Sequence, residues 1–418
     1  MRTTQSLNLP LNILSDMEQE SIIITAQNTV STSSDDTFNA TIGLHFNKSW
    51  ADVYLDDLAV NSYPDPAHDI GLLVEDSSPK SPACHTGTDK NGMIAARDFN
   101  FIEVVGDTVI KSSKSESILG ELYFYSHLPF QLSAIFPAVY SVEYLPQTLT
   151  YTIKMERCEG LTFSHLLVGR SITKGRFLNF LTTLRKIHSA ISSSTPCLPI
   201  SEPLRDKFAS NSIEAAKGGV NIYANYGSKL WSRYADYADK YNALGVQAAE
   251  IFIRLTRFLD SYESEERGVY TQVIHGDPVF SNAILSPDEH HVSFIDVRCQ
   301  LNGTLTLEGD LNYDFAKVLQ SLLGYDHAVF MFANLHQKPA DQPLLDEAEE
   351  SVLSYLRDIF WTFLETQYTV CVHKPTLLYI TGSLFFTLIP LHKPELGQVF
   401  LRLCKSTLDT ADRMSSGS

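Results

Sequence analysis

The chain has 418 residues, 44% of them hydrophobic, and its 49 acidic side chains outnumber 32 Lys and Arg for a formal charge of −17. That length buries a large core across two or three domains, and the acidic balance, with no basic stretch to offset it, argues against a nucleic-acid partner. Six scattered cysteines without a CxxC pair point to reduced thiols in a cytoplasmic protein and away from a zinc site.

The N-terminus has no basic region followed by an apolar core, so no signal peptide is expected. Residues 22–28 (IIITAQN) and 47–61 (NKSWADVYLDDLAVN) are β-rich apolar runs that end in polar residues. This segment, residues 1–80, resembles part of a haloacid-dehalogenase-type (HAD-like) phosphatase. The resemblance implies that Thr25 matches that family's second-motif hydroxyl, Lys48 its phosphate-stabilising lysine, and Asp56 and Asp57 its metal-binding pair. The family's nucleophile is the first aspartate of a D-x-D motif on a preceding strand. Upstream of Thr25 the chain has only Asp16, in Asp16-Met17-Glu18. Without a nucleophile there is no covalent route. The expectation is a degenerate, non-catalytic α/β segment, the plain alternative being a small unrelated α/β appendage.

Residues 74–95 (VEDSSPKSPACHTGTDKNGMIA) are rich in Ser, Pro, Gly and charge, and 81–95 are taken as a linker. Residues 99–113 (FNFIEVVGDTVIKSS) read as a β-hairpin turning at Gly106-Asp107, with Lys111 near the end of the second strand. A lysine there is ordinarily a solubilising edge residue. Glu121, in ILGELYFYSHL, is the foremost acid to pair with it; Glu116 and Glu103 are alternatives. No Gly-rich loop is evident, Asn91-Gly92 being the nearest candidate. Residues 149–155 read as a strand, 156–160 as a polar break, and Thr162 as the N-cap of the next helix.

Apolar residues then recur at helical spacing at Phe177, Phe180, Leu181, Leu184 and Ile187, with His188 a capping or core histidine. Residues 200–266 are helical and carry Tyr223, Tyr226, Trp231 and Tyr234, which either pack between helices or stack on a ligand. Residues 344–408 are all-helical by pattern. The longest apolar run, 377–391, is shorter than the ~20 residues of a membrane span and is interrupted by Thr, Gly, Ser and Pro. A buried helix is expected there, and no membrane span.

The most informative segment is 273–298 (VIHGDPVFSNAILSPDEHHVSFIDVR). An apolar run ends in His275-Gly276-Asp277, Asn282 lies five positions on, and a second apolar run ends at Asp296. The runs containing Ile274 and Phe294-Ile295 are expected to pair across the polar turn SPDEHH. That pairing brings Asn282 near Asp296, so that hard oxygen ligands converge on one cation. The plain alternative is a β-hairpin with polar ends. Residues 309–317 (GDLNYDFAK) follow, with Asp310 and Asp314 one helical turn apart, an ordinary N-cap and first-turn acid in the plain reading.

These strings resemble the aminoglycoside phosphotransferase and choline kinase family. The resemblance implies an α+β, two-lobed, protein-kinase-like fold. Its small β-rich N-lobe spans residues 96–158, and its large helical C-lobe, with the catalytic loop, spans 159–408. It implies Asp277 as the catalytic aspartate, His275 as the loop-orienting histidine, and Asn282 and Asp296 as ligands of Mg²⁺. Lys111, paired with Glu121, would contact the phosphates of ATP. Main-chain groups of the hinge from Glu156 to Cys158 would meet the adenine edge. Asp310 would brace the catalytic loop, Asp314 remaining open, and Arg298 would contact phosphate or bridge to the Asp310 region in structural support. The helical insertion would build the acceptor pocket.

The expected function is therefore ATP-dependent transfer of the γ-phosphoryl group to a small-molecule hydroxyl of a sugar, polyol or amino alcohol. The pairing of the two modules is similar to phosphotransferases of polysaccharide and capsule metabolism. The alternative is a nucleotide-binding pseudokinase. A phosphatase is disfavoured by the absent D-x-D, and a protein kinase by HGD in place of HRD. No oligomeric state is legible.

Overall fold

The structure is a computed structural model that describes residues 100–193, 195–213, 219–333, 344–370 and 372–416. The phosphatase-like segment, with Thr25, Lys48, Asp56 and Asp57, and the linker lie outside the described residues.

Strands β1 (Asn100–Val105) and β2 (Thr108–Ser113) pair antiparallel from Asn100↔Ser113 to Val105↔Thr108. Gly106 closes the turn at φ 59°, the left-handed backbone that a two-residue hairpin needs. Helix α1 (Leu119–Ser126) follows and buries Leu119, Leu122, Phe124 and Tyr125. β3 (Val139–Leu145) and β4 (Thr150–Glu156) complete an antiparallel sheet in the order β1-β2-β4-β3. Tyr151, Ile153 and Met155 alternate inward along β4, so Met155 is core filling.

Past Glu156 the chain turns at Gly160, φ 137°, where a Cβ would overlap the Leu285 carbonyl oxygen. It then enters β5 (Leu161–Thr162) and α2 (Phe163–Val168), whose N-cap Thr162 accepts a hydrogen bond from the His165 amide. α3 (Lys174–His188) buries the residues expected from its periodicity. α4 (Glu202–Ser210), α5 (Gly227–Asp236), α6 (Ala238–Asn242) and α7 (Val246–Ser264) form the helical insertion.

The next strands are short: β6 (Tyr270–Thr271), β7 (Ala283–Leu285), β8 (Val292–Phe294), β9 (Gln300–Leu301), β10 (Thr304–Leu305) and β11 (Gly309–Asp310). β5, β7 and β8 form one antiparallel sheet, and β11 pairs with β6. The expected hairpin across residues 286–291 forms, as β7 with β8, with Ala283 opposite Phe294 and Asn282 just before the first strand. The Ile274 run is not part of it, and the Ile274 amide donates to the Leu307 carbonyl oxygen. The reason is the loop between them: Gly276 at φ 78° turns the chain away from an extended path before Asn282.

α8 (Leu311–Leu322), α9 (Tyr325–Ala333), α10 (Glu347–Gln367), α11 (Lys374–Leu388) and α12 (Pro394–Ser416) finish the helical lobe. One hydrophobic cluster runs from Val109 and Ile153 of the sheet through Phe163, Phe180 and Phe280 to Phe315 of α8. A second joins α5, α7, α11 and α12 through Leu230, Phe252, Phe385 and Phe400. Residues Lys374–Leu391 are the one stretch among the described residues apolar and long enough to cross a membrane, and 72% of it is buried inside the protein. Its side chains Ile380, Phe385 and Phe386 are wholly enclosed, as in a core helix.

Candidate active site

The loop at His275–Asp277 is held from below by one carboxylate. The amides of His275 and Gly276 each donate to Asp314, at 2.8 Å to Oδ2 and 2.8 Å to Oδ1. His188 completes the arrangement, with Nε2 3.0 Å from Asp314 Oδ2 and Nδ1 2.8 Å from the Tyr368 hydroxyl. Asp314 has no solvent exposure, so these partners replace water entirely.

The brace is thus Asp314, and the expectation for Asp310 is corrected. Asp310 is the N-cap of α8 and accepts from the Asn312 amide, the Val269 amide and the hydroxyls of Tyr226 and Tyr262. A cap residue faces the helix start, whereas a residue one turn further in faces the neighbouring loop.

Gly276 admits no side chain. A Cβ would lie 2.5 Å from the Arg298 carbonyl oxygen, and φ is 78°. Gly276→Ala is expected to destabilise the protein by more than ~1 kcal/mol, from strain and displacement of the main chain at Arg298 together. Urea denaturation checks this; an unchanged midpoint would contradict the close approach.

Asp277 lies between two cations. Lys317 Nζ is 2.8 Å from its Oδ1 and Arg298 Nε is 3.6 Å from its Oδ2. Burial alone would raise its pKa; Lys317 and Arg298 outweigh that and hold the carboxyl below the usual range. The Asp277 amide donates to His275 Nδ1 at 3.2 Å. His275 is fully buried, which depresses its pKa and keeps the ring neutral, with Nδ1 as acceptor.

A second carboxylate closes the site. Asp296 has φ 57°, uncommon for a side-chain-bearing residue, and meets Lys111 at 2.8 Å and Arg298 at 2.7 Å. Burial would raise its pKa; Arg298 and Lys111 instead hold it far below the usual range. Lys111 also lies 2.8 Å from Glu121, so among the three expected acids Glu121 is its partner. Burial raises the Glu121 pKa against the pull of Lys111. Arg298 therefore joins Asp277 to Asp296.

Asn282 donates from Nδ2 to the Asp277 carbonyl oxygen at 3.0 Å, and its own carbonyl oxygen accepts from the Ile295 amide at 3.0 Å. That main-chain bond sets Asn282 beside the residue preceding Asp296. The two side chains offer hard oxygen donors, and no cluster of three or more His, Cys, Asp or Glu suited to a metal exists among the described residues. This set fits a magnesium ion that draws its remaining ligands from phosphates and water.

At the hinge, the Glu156 carboxylate accepts from the Ala138 amide at 3.1 Å, and the Arg157 amide donates to Asp107. Cys158 is half-buried, and burial pushes its thiol up to about 11. The insertion's aromatics are engaged in packing. Tyr226 bonds Asp310, the Tyr223 hydroxyl accepts from the Gly268 amide, Tyr234 stacks on Phe252, and Trp231 meets Phe252 edge-on.

Sequence reasoning passed over Lys317 and Lys229. Lys317 stands in the quoted string GDLNYDFAK. Tyr313, one turn earlier, receives a hydrogen bond from Lys229 of α5 at 3.1 Å.

The buried histidines predict an acid sensitivity. Burial lowers the pKa of His127, of His275, and of His165, the last to about 3. The unfolded chain binds protons near pH 6.5 that the folded protein refuses, so stability falls as pH drops below that value. His165 alone should contribute about 2 kcal/mol of loss between pH 6.5 and 5. Urea midpoints across that range test it; a flat profile would show that these rings titrate normally.

No protein-family model matches the sequence, and no curated protein matches it. Solved structures do. An aminoglycoside phosphotransferase APH(3'')-Id from Streptomyces rimosus is 16% identical, with 68% of this chain and 86% of that chain covered at a TM-score of 0.38. A thermostable mutant of aminoglycoside phosphotransferase APH(4)-Ia, in a ternary complex with AMP-PNP and hygromycin B, is 12% identical over 76% of this chain and 91% of its own, TM-score 0.44. A protein from Ralstonia eutropha described as an aminoglycoside phosphotransferase is 10% identical over 75% and 93%, TM-score 0.41.

Proposed function

We propose that the protein is an ATP-dependent phosphotransferase acting on a hydroxyl of a small molecule such as a sugar, polyol or amino alcohol. The observation that carries this reading is the chain of contacts Glu121–Lys111–Asp296–Arg298–Asp277, with Asn282 bonded to the same loop. It supports reading Lys111 as the phosphate-facing lysine, Asn282 and Asp296 as oxygen ligands for a cation, and Asp277 as a separate carboxylate.

In this reading Asp277 accepts a hydrogen bond from the acceptor hydroxyl and fixes its direction of attack. The acceptor oxygen bonds to the γ-phosphorus as the bond to the ADP leaving oxygen breaks, and the hydroxyl proton passes to Asp277 late. A carboxylate is a weak base toward an alcohol, so the gain is mostly positional. Lys111 neutralises phosphate charge. Asn282 and Asp296 would hold magnesium, which supplies charge neutralisation at the transferring phosphate. At the hinge from Glu156 to Cys158 the amides of Glu156 and Arg157 donate to Ala138 and Asp107 and the Glu156 carboxylate is committed to the Ala138 amide, so the remaining main-chain groups there would receive the adenine edge. His275 orients the loop and carries no proton in the chemistry.

Calorimetry on variants tests this assignment. Asp296→Ala should weaken Mg·ATP binding about tenfold or more, since a buried charged ligand is lost. Asp277→Asn should leave that affinity nearly unchanged. Equal losses in the two would contradict the division of labour. Mg·ATP binding without turnover on any acceptor would make the protein a pseudokinase.

A further inference from the structure

We infer that the acceptor carries an anionic group, a carboxylate or phosphate, close to the hydroxyl that is phosphorylated. This rests on the phosphotransfer reading and names the substrate class of that site. The chain has 49 acidic and 32 basic residues, yet cations gather around Asp277. Lys317 reaches it from α8 at 2.8 Å, and Arg298 from the segment after β8 at 3.6 Å. Tyr313 and Lys317 lie one turn apart on α8, on one face of that helix. Lys229 then approaches Tyr313 from α5, 3.1 Å from the hydroxyl and 5.8 Å from the ring centroid.

Among the contacts of the described residues, Lys229 has no carboxylate to offset it. Lys111 is matched by Glu121 and Asp296, and Lys317 by Asp277. Among the described residues the partner of Lys229 is a phenol and not a carboxylate. The local field shows the excess: burial would raise the Tyr313 pKa, but Lys229 and Lys317 reverse it and bring the phenol below its usual value. Lys229 is half-buried and Asp277 partly open, and both bear electrostatically on Tyr313, which puts Lys229 on the Asp277 side of the site. A neutral polyol would leave Lys229 without a counter-charge, and a polycation would be repelled by three cationic side chains.

Matched compounds test this with the full-length protein and Mg·ATP. D-gluconate is compared with D-glucitol, glycerol 3-phosphate with glycerol, and D-glucosamine serves as the cation. ADP release reports turnover, and calorimetry with Mg·AMP-PNP present reports binding. At least one anion should exceed its neutral partner by about tenfold or more in kcat/KM or affinity, the worth of one well-placed charge. Lys229→Gln should remove that margin, Lys229→Glu should reverse it, and Lys229→Arg should keep it, with KM for ATP unchanged in all three. The gluconate and glycerol 3-phosphate arms separate carboxylate from phosphate. Preference for a neutral or cationic member, no detectable binding of either anion, or a margin untouched by Lys229→Glu would each overturn the inference. Loss of Mg·ATP binding in the unaltered protein would overturn the phosphotransfer reading beneath it.

Discussion

Asp277→Asn should lower kcat by about 10²-fold or more while KM for ATP moves little. A positioned group that orients and deprotonates a nucleophile typically contributes ~10²–10⁴. The amide keeps the shape of the carboxylate, so the loop stays in place. It cannot take the hydroxyl proton, and it offers Lys317, 2.8 Å away, no negative charge. Because this interaction is made to the acceptor and not to the nucleotide, the loss should fall on kcat and kcat/KM for the acceptor. Steady-state kinetics with coupled ADP release decides it. A variant with wild-type turnover would remove Asp277 from the chemistry.

The largest effect on stability is expected at Asp314. Asp314→Ala leaves the amides of His275 and Gly276 without acceptors and deprives His188 Nε2 of its partner, all out of reach of water. Each buried donor left unmade costs about 1–3 kcal/mol, so the total should reach ~3 kcal/mol or more. Equilibrium urea unfolding of the full chain measures it. Activity should fall further than the folded fraction, because the loop carrying Asp277 loses its anchor. A cost below ~1 kcal/mol, within the range of ordinary surface changes, would show that the loop holds its shape unaided.

Much of this site was legible because its signals are local. The turn Gly106-Asp107 sits between two alternating runs, and the β1–β2 hairpin formed with that turn. Thr162 and the periodicity from Phe177 to Ile187 placed α2 and α3. Long-range geometry was less accessible. Asp310 and Asp314 are equivalent by spacing, and only the packing of α8 beneath the loop decides which one faces it. Lys317 reads as an ordinary helical lysine until α8 docks and brings it to a carboxylate forty positions away. Arg298 was read as contacting phosphate or bridging to the Asp310 region; its amide bonds the His275 carbonyl oxygen and its guanidinium meets Asp277 and Asp296, contacts that no sequence spacing shows. The Ile274 run was read as a strand because burial on all sides and strand pairing leave the same apolar signature.

The tight junction of α1 also bears on how the molecule comes apart. At Gly120 a Cβ would lie 3.0 Å from the Cys299 backbone, so main chain of the sheet lobe rests almost directly on main chain leaving Asp296. The cluster from Ile153 to Phe315 is continuous across the same boundary. Cleavage at the hinge would split the first of the two cores. The halves should neither fold alone nor melt in sequence, and mixing them should restore structure only by mutual templating.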